Sequence, residues 1–182
     1  DKRNQAQVLA DALGHYHCYA TKYGRWSPAR LMPFMSNQGN AFLTRDTIHH
    51  EKYHYFNKGV KRLVIEMELK HLRVFLVHLA LGFKVRQGQL ADLYSMIQKS
   101  RKPVIVAGDF NSKWGDREIG LFLEKSRLVN ALPAGVYTYP SWAPNRRLDF
   151  ILHSPELKLM NIKVLDVKLS DHLPVICDFE IK

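Results

Sequence analysis

The sequence has few cysteines, few acidic residues and no long hydrophobic run. Only two of its 182 residues are cysteines, Cys18 and Cys177, which excludes a disulfide framework and a zinc site with four thiolate ligands. No run of 18 apolar residues occurs, so the sequence predicts no transmembrane segment. Asp1-Lys2-Arg3 contains no apolar core of a secretory peptide. The low cysteine content fits a reducing compartment, and we expect a cytoplasmic protein.

Acidic residues are outnumbered by basic ones. The sequence has 27 Lys and Arg residues against 17 Asp and Glu, which gives a formal net charge of +10 and a pI near 9.7. Such a surplus favours an anionic partner, which means nucleic acid, a phosphate ester or an anionic membrane surface. An ordinary soluble protein that is merely basic stays open, because composition does not show where the charges cluster.

Composition and length are otherwise those of a globular protein. Hydrophobic residues make up 46% of the chain and charged residues 24%, which excludes a disordered or fibrous protein. The length suits one domain over residues 1–182, and we expect a monomer.

Strand-like and helix-like segments alternate along the chain, which predicts a layered α/β or α+β fold. A helix is predicted between Asn4 and Gly14, one around residues 90–97, and one that Asp116 caps. The predicted strands are Asn40–Thr44, 63–69, Leu72–Leu79, 104–107, Leu148–Leu152, Leu159–Val167 and Pro174–Ile181. A tight connection at Lys70-His71 predicts an antiparallel hairpin.

Polar clusters stand at the ends of four apolar strands. They are His78, Gly108-Asp109-Phe110-Asn111, Asp149 and Ser170-Asp171-His172. Each alone has an ordinary explanation: a turn, a backbone cap or a packed histidine. Together they predict a site, because loops at strand ends carry polar groups that the sheet holds in place. Carboxylates, an amide oxygen and imidazoles suit a hard divalent cation and acid–base chemistry rather than zinc.

Several motifs resemble one family in their order and spacing. The matching segments are 77–79, 108–111, 148–151 and 170–174, with softer matches at 39–45, Arg86 with Gln89, and 138–142. From about Asn4 to its end the chain resembles the endonuclease/exonuclease/phosphatase family, whose members are magnesium-dependent phosphohydrolases. The resemblance implies an α/β fold with four layers, in which two mixed, mainly antiparallel sheets pack face to face between outer helices.

The resemblance also implies roles for single residues. Asp109 and Asn111 would hold the scissile phosphate, the nucleophilic water or a metal ion, with Asp171 in the metal shell. His172 would be the general base or transition-state stabiliser, and Asp149 would orient its imidazole. His78 would contact a phosphate oxygen or act as a general acid. Arg45 and Arg62 are candidate phosphate clamps, with ordinary surface roles left open.

One part of the family pattern is absent from this sequence. Family members begin with a strand, a helix and a strand that ends in Gln-Glu, and this Glu is their main metal ligand. No Gln-Glu pair occurs here, and Glu51, Glu66 and Glu68 stand in a different context. We therefore expect a domain that lacks its N-terminal strand-helix-strand segment, with an incomplete metal site.

The sequence predicts a hydrolase of phosphoesters that depends on Mg²⁺ or Mn²⁺ and uses an activated water. The basic charge favours a nuclease-type phosphodiesterase with DNA or RNA as its substrate. Two alternatives remain: a phospholipid or phosphoinositide phosphohydrolase of the same fold, and a catalytically dead binding module.

Overall fold

The computed structural model describes residues 4–21, 39–59 and 63–181. Within these ranges the helices are α1 (Gln5–Leu13), α2 (Phe83–Ile97) and α3 (Asp116–Ser126). The strands there are β1 (Tyr16–Thr21), β2 (Gly39–Thr44), β3 (His50–Tyr55), β4 (Leu63–Glu68), β5 (Arg73–His78), β6 (Val104–Asp109), β7 (Val129–Asn130), β8 (Asp149–His153), β9 (Leu157–Val164) and β10 (Val175–Ile181). None of the helices in this described part is long and apolar enough to cross a bilayer.

The caps explain where two of the helices begin and end. The Asn4 side chain accepts a hydrogen bond from the Gln7 N–H at 2.8 Å, and Gly14 ends α1 in the left-handed conformation, as the sequence predicts. The prediction that Asp116 caps α3 is wrong. Gly115 occupies the cap position, and the Asp116 carboxylate instead accepts hydrogen bonds from Arg147. A buried guanidinium needs an anionic partner, and this need outweighs the local capping preference.

Six strands form a mixed, mainly antiparallel sheet in the order β3-β4-β5-β6-β8-β7. The predicted hairpin between β4 and β5 is confirmed, since the Leu69 N–H donates to the Leu72 carbonyl across the turn. β5 and β6 pair in parallel, with α2 as the crossover between them. Two further antiparallel pairs, β1–β2 and β9–β10, complete the described sheets.

The layers follow from the two hydrophobic clusters. On one face of the large sheet, Phe75 and Val106 pack with Leu93 of α2 and Ile119 of α3. On the other face, Met67 and its neighbours pack with β1 and β2, and α1 lies against that strand pair. Helices thus lie outside two packed sheet layers, and the α/β fold expected from the family resemblance is confirmed.

Strands β1 and β3 were not predicted from the sequence. β3 reads His-Glu-Lys-Tyr-His-Tyr and has mostly exposed side chains. Among the described strands it lies at the edge of the large sheet, where charged residues are common because no described strand pairs with its outer side. Its sequence therefore lacks the apolar alternation on which the prediction of strands depends.

Candidate active site

Three neighbouring strands bring acidic and imidazole side chains to one end of the large sheet. β5 pairs in parallel with β6 so that His78 lies beside Asp109. β8 pairs with β6 on its other side so that Asp149 lies beside Asp109. The pairing register alone therefore places His78, Asp109 and Asp149 in one row across the sheet.

Gly108 allows these strands to lie close together. Its φ angle is +139°, and a Cβ atom at this position would lie 2.0 Å from the Val77 carbonyl oxygen of β5. Only glycine fits such an approach of two backbones. The Gly-Asp-Phe-Asn motif therefore begins with a residue that the packing of β5 against β6 requires.

The Asp109 carboxylate is held by two neighbours. His78 Nε2 lies 3.2 Å from Asp109 Oδ2, and the Asn111 N–H donates to Oδ1 at 2.8 Å. The side-chain amide of Asn111 also donates to Asp109 Oδ2 at 3.1 Å and to the Leu79 carbonyl at 2.9 Å. Burial raises the pKa of Asp109, but the hydrogen bond and charge of His78, with the Asn111 N–H, outweigh it and keep that pKa below its ordinary value.

His172 reaches the same row from the loop between β9 and β10. Its Nδ1 lies 2.7 Å from Asp149 Oδ2, and its ring lies against Tyr139, with ring centroids 4.9 Å apart. The segment around Tyr139 fixes this loop, because Ser141 donates to the carbonyls of Ser170 and Asp171. These contacts with the loop hold the imidazole in place.

Asp149 and His172 each change the other's ionisation. Burial raises the pKa of Asp149 above its ordinary value, against hydrogen bonds from Thr138 and His172, of which the Thr138 hydroxyl bond is 2.5 Å long. Burial lowers the pKa of His172, but the hydrogen bond and charge of Asp149, with the charges of Asp109 and Asp171, outweigh it and raise that pKa. The pair therefore retains a proton at a higher pH than an isolated histidine would.

These side chains line one cleft of about 460 Å³. Six of its lining residues are predicted site residues: His78, Asp109, Asn111, Asp149, Asp171 and His172. Sequence reasoning gave no role to the five others, which are Leu81, Lys113, Tyr139, Arg146 and Leu148. Arg146 and Arg147 look alike in the sequence, yet only Arg146 lines the cleft, while Arg147 is buried and pairs with Asp116. Nothing in the sequence separates the two.

Arg86 and Gln89, the residues of a softer motif match, hold the backbone next to the cleft. Arg86 is 1% exposed, pairs with Glu118 and donates to the Ala80 and Leu81 carbonyls. The Gln89 side chain accepts from the Ala80 N–H at 2.8 Å. Both residues fix the segment that follows His78, so they position the site without lining it.

Of the two predicted phosphate clamps, the structure describes only Arg45, and it does not bring this residue to the cleft. Arg45 is exposed just after β2 and is not among the residues that line the cleft. Arg62 lies outside the described residues. Lys113 and Arg146 are the basic side chains that the structure places there instead.

The cleft offers oxygen donors, but they do not form a complete metal site. Asp109, Asn111 and Asp171 are ligands of the kind that Mg²⁺ or Mn²⁺ prefers. Asp109 is already engaged by His78 and Asn111, however, and no group of three or more His, Cys, Asp or Glu side chains in residues 4–21, 39–59 and 63–181 is arranged to hold a metal ion. Glu66 and Glu68 of β4 pair with Arg73 and do not line the cleft.

The chain matches a known protein family over most of its length. The model of the Endonuclease/Exonuclease/phosphatase family matches residues 2–172. The chain belongs to this family. Its hydrolase members include nucleases and phosphatases and are generally dependent on divalent metal ions.

The curated proteins that the chain matches are distant in sequence. A UPF0294 protein of Photorhabdus laumondii is 30% identical over 114 residues, which cover 62% of this chain and 43% of that protein. The chain thus spans less than half the length of the curated relatives it matches.

Two solved structures show the shared fold. A Neisseria 3′ phosphatase bound to a product DNA hairpin has a TM-score of 0.71 and 17% identity, covering 99% of this chain and 84% of that one. A Bacteroides thetaiotaomicron mannosyl-6-phosphatase has a TM-score of 0.73 and 16% identity, covering 97% and 81%. At identities this low, the structural likeness shows the shared fold alone and leaves the substrate open.

Proposed function

We propose that this chain carries the catalytic His–Asp pair of a divalent-metal-dependent phosphodiesterase of the nuclease type. The observation that carries the proposal is the pair formed by His172 and Asp149, with Nδ1 and Oδ2 2.7 Å apart at the wall of a cleft. The Asp149 carboxylate favours the tautomer with its proton on Nδ1, which leaves Nε2 as the base. Family membership and the net charge of +10 support an anionic phosphoester as the substrate.

In the proposed reaction, a water oxygen forms a bond to phosphorus while the bond to the leaving oxygen breaks. His172 Nε2 takes the proton of the water, and Asp149 stabilises the imidazolium that results. Asn111 and Asp109, joined to each other, orient the phosphoryl group or the water, and His78 assists at a phosphate oxygen or protonates the leaving oxygen. Lys113 and Arg146 attract the anionic substrate.

A divalent ion would neutralise charge on the phosphoryl oxygens. We propose Asp109, Asn111 and Asp171 as its partial ligand set, completed by groups beyond those described. The predicted cytoplasmic location, the monomeric state and an N-terminally incomplete domain over residues 1–182 remain predictions. Activity of the whole protein is likewise a proposal, because the matched relatives are more than twice as long as the aligned segment.

A hydrolysis screen tests this function. This chain and the longest reading frame that contains it are incubated with Mg²⁺, Mn²⁺ or EDTA and with single-stranded DNA, plasmid DNA, RNA and a chromogenic phosphodiester. We expect metal-dependent cleavage of a diester that His172→Ala slows by about 10²- to 10⁴-fold and His71→Ala preserves, since His71 is exposed in the turn between β4 and β5. Cleavage at the wild-type rate both in His172→Ala and in EDTA would contradict the proposal.

Two alternatives have an observation in their favour. Leu169 is 93% exposed in the same loop that carries His172, which suits contact with a lipid, so sphingomyelin and a phosphoinositide belong in the screen. The lack of a metal-binding cluster among the described residues favours a binding module instead. A binding module would hold single-stranded DNA with equal affinity in wild type and His172→Ala and hydrolyse nothing.

A further inference from the structure

Two large aromatic side chains lie exposed and in contact with each other. Trp114 is 66% exposed and Phe83 is 46% exposed, and their ring centroids lie 5.7 Å apart with the planes tilted by 59°. Single exposed apolar residues are common on protein surfaces, whereas adjoining ones mark sites of interaction. We refer to Phe83 and Trp114 as the aromatic pair.

Residues close to the aromatic pair in the chain line the candidate active-site cleft. Leu81, two residues before Phe83, lines the cleft, and so does Lys113, the residue before Trp114. Phe83 opens α2 after β5, and Trp114 stands in the turn between β6 and α3. The pair therefore connects the two segments that leave His78 and Asp109.

The turn that carries Trp114 is held at several points. The Ser112 hydroxyl donates to the Gly115 carbonyl at 2.6 Å, and the Gly115 N–H donates to the Ser112 carbonyl. The backbone N–H of Trp114 donates to the buried Glu118 carboxylate at 2.9 Å, and Arg86 pairs with that same carboxylate. The exposed indole thus stands on a fixed backbone, so a ligand that stacks on it needs to order little of the protein.

Exposed basic residues adjoin the aromatic pair in the chain. Lys84 adjoins Phe83, and Lys113 adjoins Trp114; both lysines are exposed. Arg117, the second residue of α3, is exposed as well. Aromatic rings beside cations suit single-stranded nucleic acid, since each base has a flat face and each nucleotide a phosphate.

We propose that the aromatic pair is a stacking subsite for a nucleobase next to the phosphate in the cleft. This inference rests on the proposed phosphodiesterase function and extends it to single-stranded or unpaired nucleic acid. Stacking does not read the identity of a base, so we expect little sequence preference at this subsite.

Binding of two oligomers with equal charge tests the subsite. One is a thymidine 12-mer, and the other is a 12-mer of tetrahydrofuran abasic nucleotides; both are titrated in EDTA to prevent hydrolysis. Trp114→Ala should weaken binding of the thymidine oligomer by about 5- to 150-fold, the effect of losing one stacked base, and leave the abasic oligomer unaffected. Trp114→Phe should bind the thymidine oligomer nearly as well as wild type, because it retains a ring.

Tyr16→Ala serves as the matched control, since Tyr16 is an exposed aromatic residue on β1 that does not line the cleft. We expect it to bind both oligomers like wild type. Phe83→Ala is a second test variant, and thermal melts check that each variant folds. An equal loss of both oligomers in Trp114→Ala would overturn the proposal, as would no loss of either.

Vesicles of phosphatidylcholine and phosphatidylserine form the competing arm. If Trp114→Ala releases the protein from vesicles and still binds the thymidine oligomer, the aromatic pair contacts lipid and the proposal is wrong. The binding readout is independent of turnover. A protein that loses thymidine binding in Trp114→Ala but hydrolyses no phosphoester retains the subsite and refutes only the phosphodiesterase function.

Discussion

The hydrogen bond between His172 and Asp149 determines which imidazole nitrogen carries a proton. Asp149 also accepts the Thr138 hydroxyl, and this second bond keeps the carboxylate turned toward the ring. The sequence motifs contain His172 and Asp149 but do not predict the distance between them. That distance depends on the packing of the 138–142 segment against the β9–β10 loop.

Removing either partner should reduce turnover more than substrate binding. We expect His172→Ala to lower kcat by about 10²- to 10⁴-fold with a small change in KM, because proton transfer contributes in the transition state. Asp149→Asn should act in the same direction, since it removes the carboxylate that orients the ring. Steady-state kinetics at saturating metal ion measure both. His71→Ala is the control, and near-normal kcat in His172→Ala would refute the assigned role.

The ionisation of His172 should set the acid limb of the pH–rate profile. Asp149 raises the pKa of His172, so the base loses its proton only above the ordinary histidine value. We expect the acid limb of kcat/KM to have its midpoint above pH 6.5, the ordinary value for a histidine. In Asp149→Asn the stabilising charge is gone, so the midpoint should move to lower pH in whatever activity remains. A shift to higher pH would contradict the assignment.

At the scale of elements, β5, β6 and β8 place the site because their register is fixed. A shift of one residue between β5 and β6 would separate His78 from Asp109 and turn their side chains to opposite faces. Gly108 is the position where this packing is tightest, since its Cβ would meet the Val77 carbonyl.

Gly108→Ala should destabilise the protein strongly. The substitution puts a side chain at φ +139° and 2.0 Å from a backbone oxygen. Backbone strain alone costs about 1–3 kcal/mol, and separating β5 from β6 adds to it. Gly120→Ala in the exposed part of α3 is the control, and it should add about 0.5–1 kcal/mol to the free energy of unfolding because its Cβ meets nothing. Urea unfolding measures the stability of both variants. A Gly108→Ala variant as stable as the wild type would contradict the tight packing of β6 against β5.

At the scale of the whole molecule, the net charge of +10 favours anionic ligands. The proposed site adds local cations, Lys113 and Arg146, to this overall field. Contacts between such cations and phosphates release counterions, and binding therefore weakens as salt is added.

Lys113→Ala should reduce the salt dependence of binding to single-stranded DNA. If Lys113 contacts one phosphate, the slope of log K against log salt concentration should become shallower by about 0.7. Fluorescence anisotropy across a salt series measures this slope. Lys163→Ala, an exposed lysine on β9, should leave it unchanged. An unchanged slope in Lys113→Ala would place the DNA elsewhere on the surface.

The sequence by itself determined the family, the α/β class and the strand ends where the polar residues stand. These features depend on short-range patterns: alternation of apolar residues, a glycine before Asp109 and the motif around His172. It did not reveal β3, whose edge position permits a polar sequence, or the buried role of Arg147. Only the tertiary structure decided which distant side chains meet, such as Arg146 at the cleft and Phe83 against Trp114. The reason is physical: periodicity records which face of an element is buried, whereas a contact between loops depends on how whole elements pack and carries no local signal in the sequence.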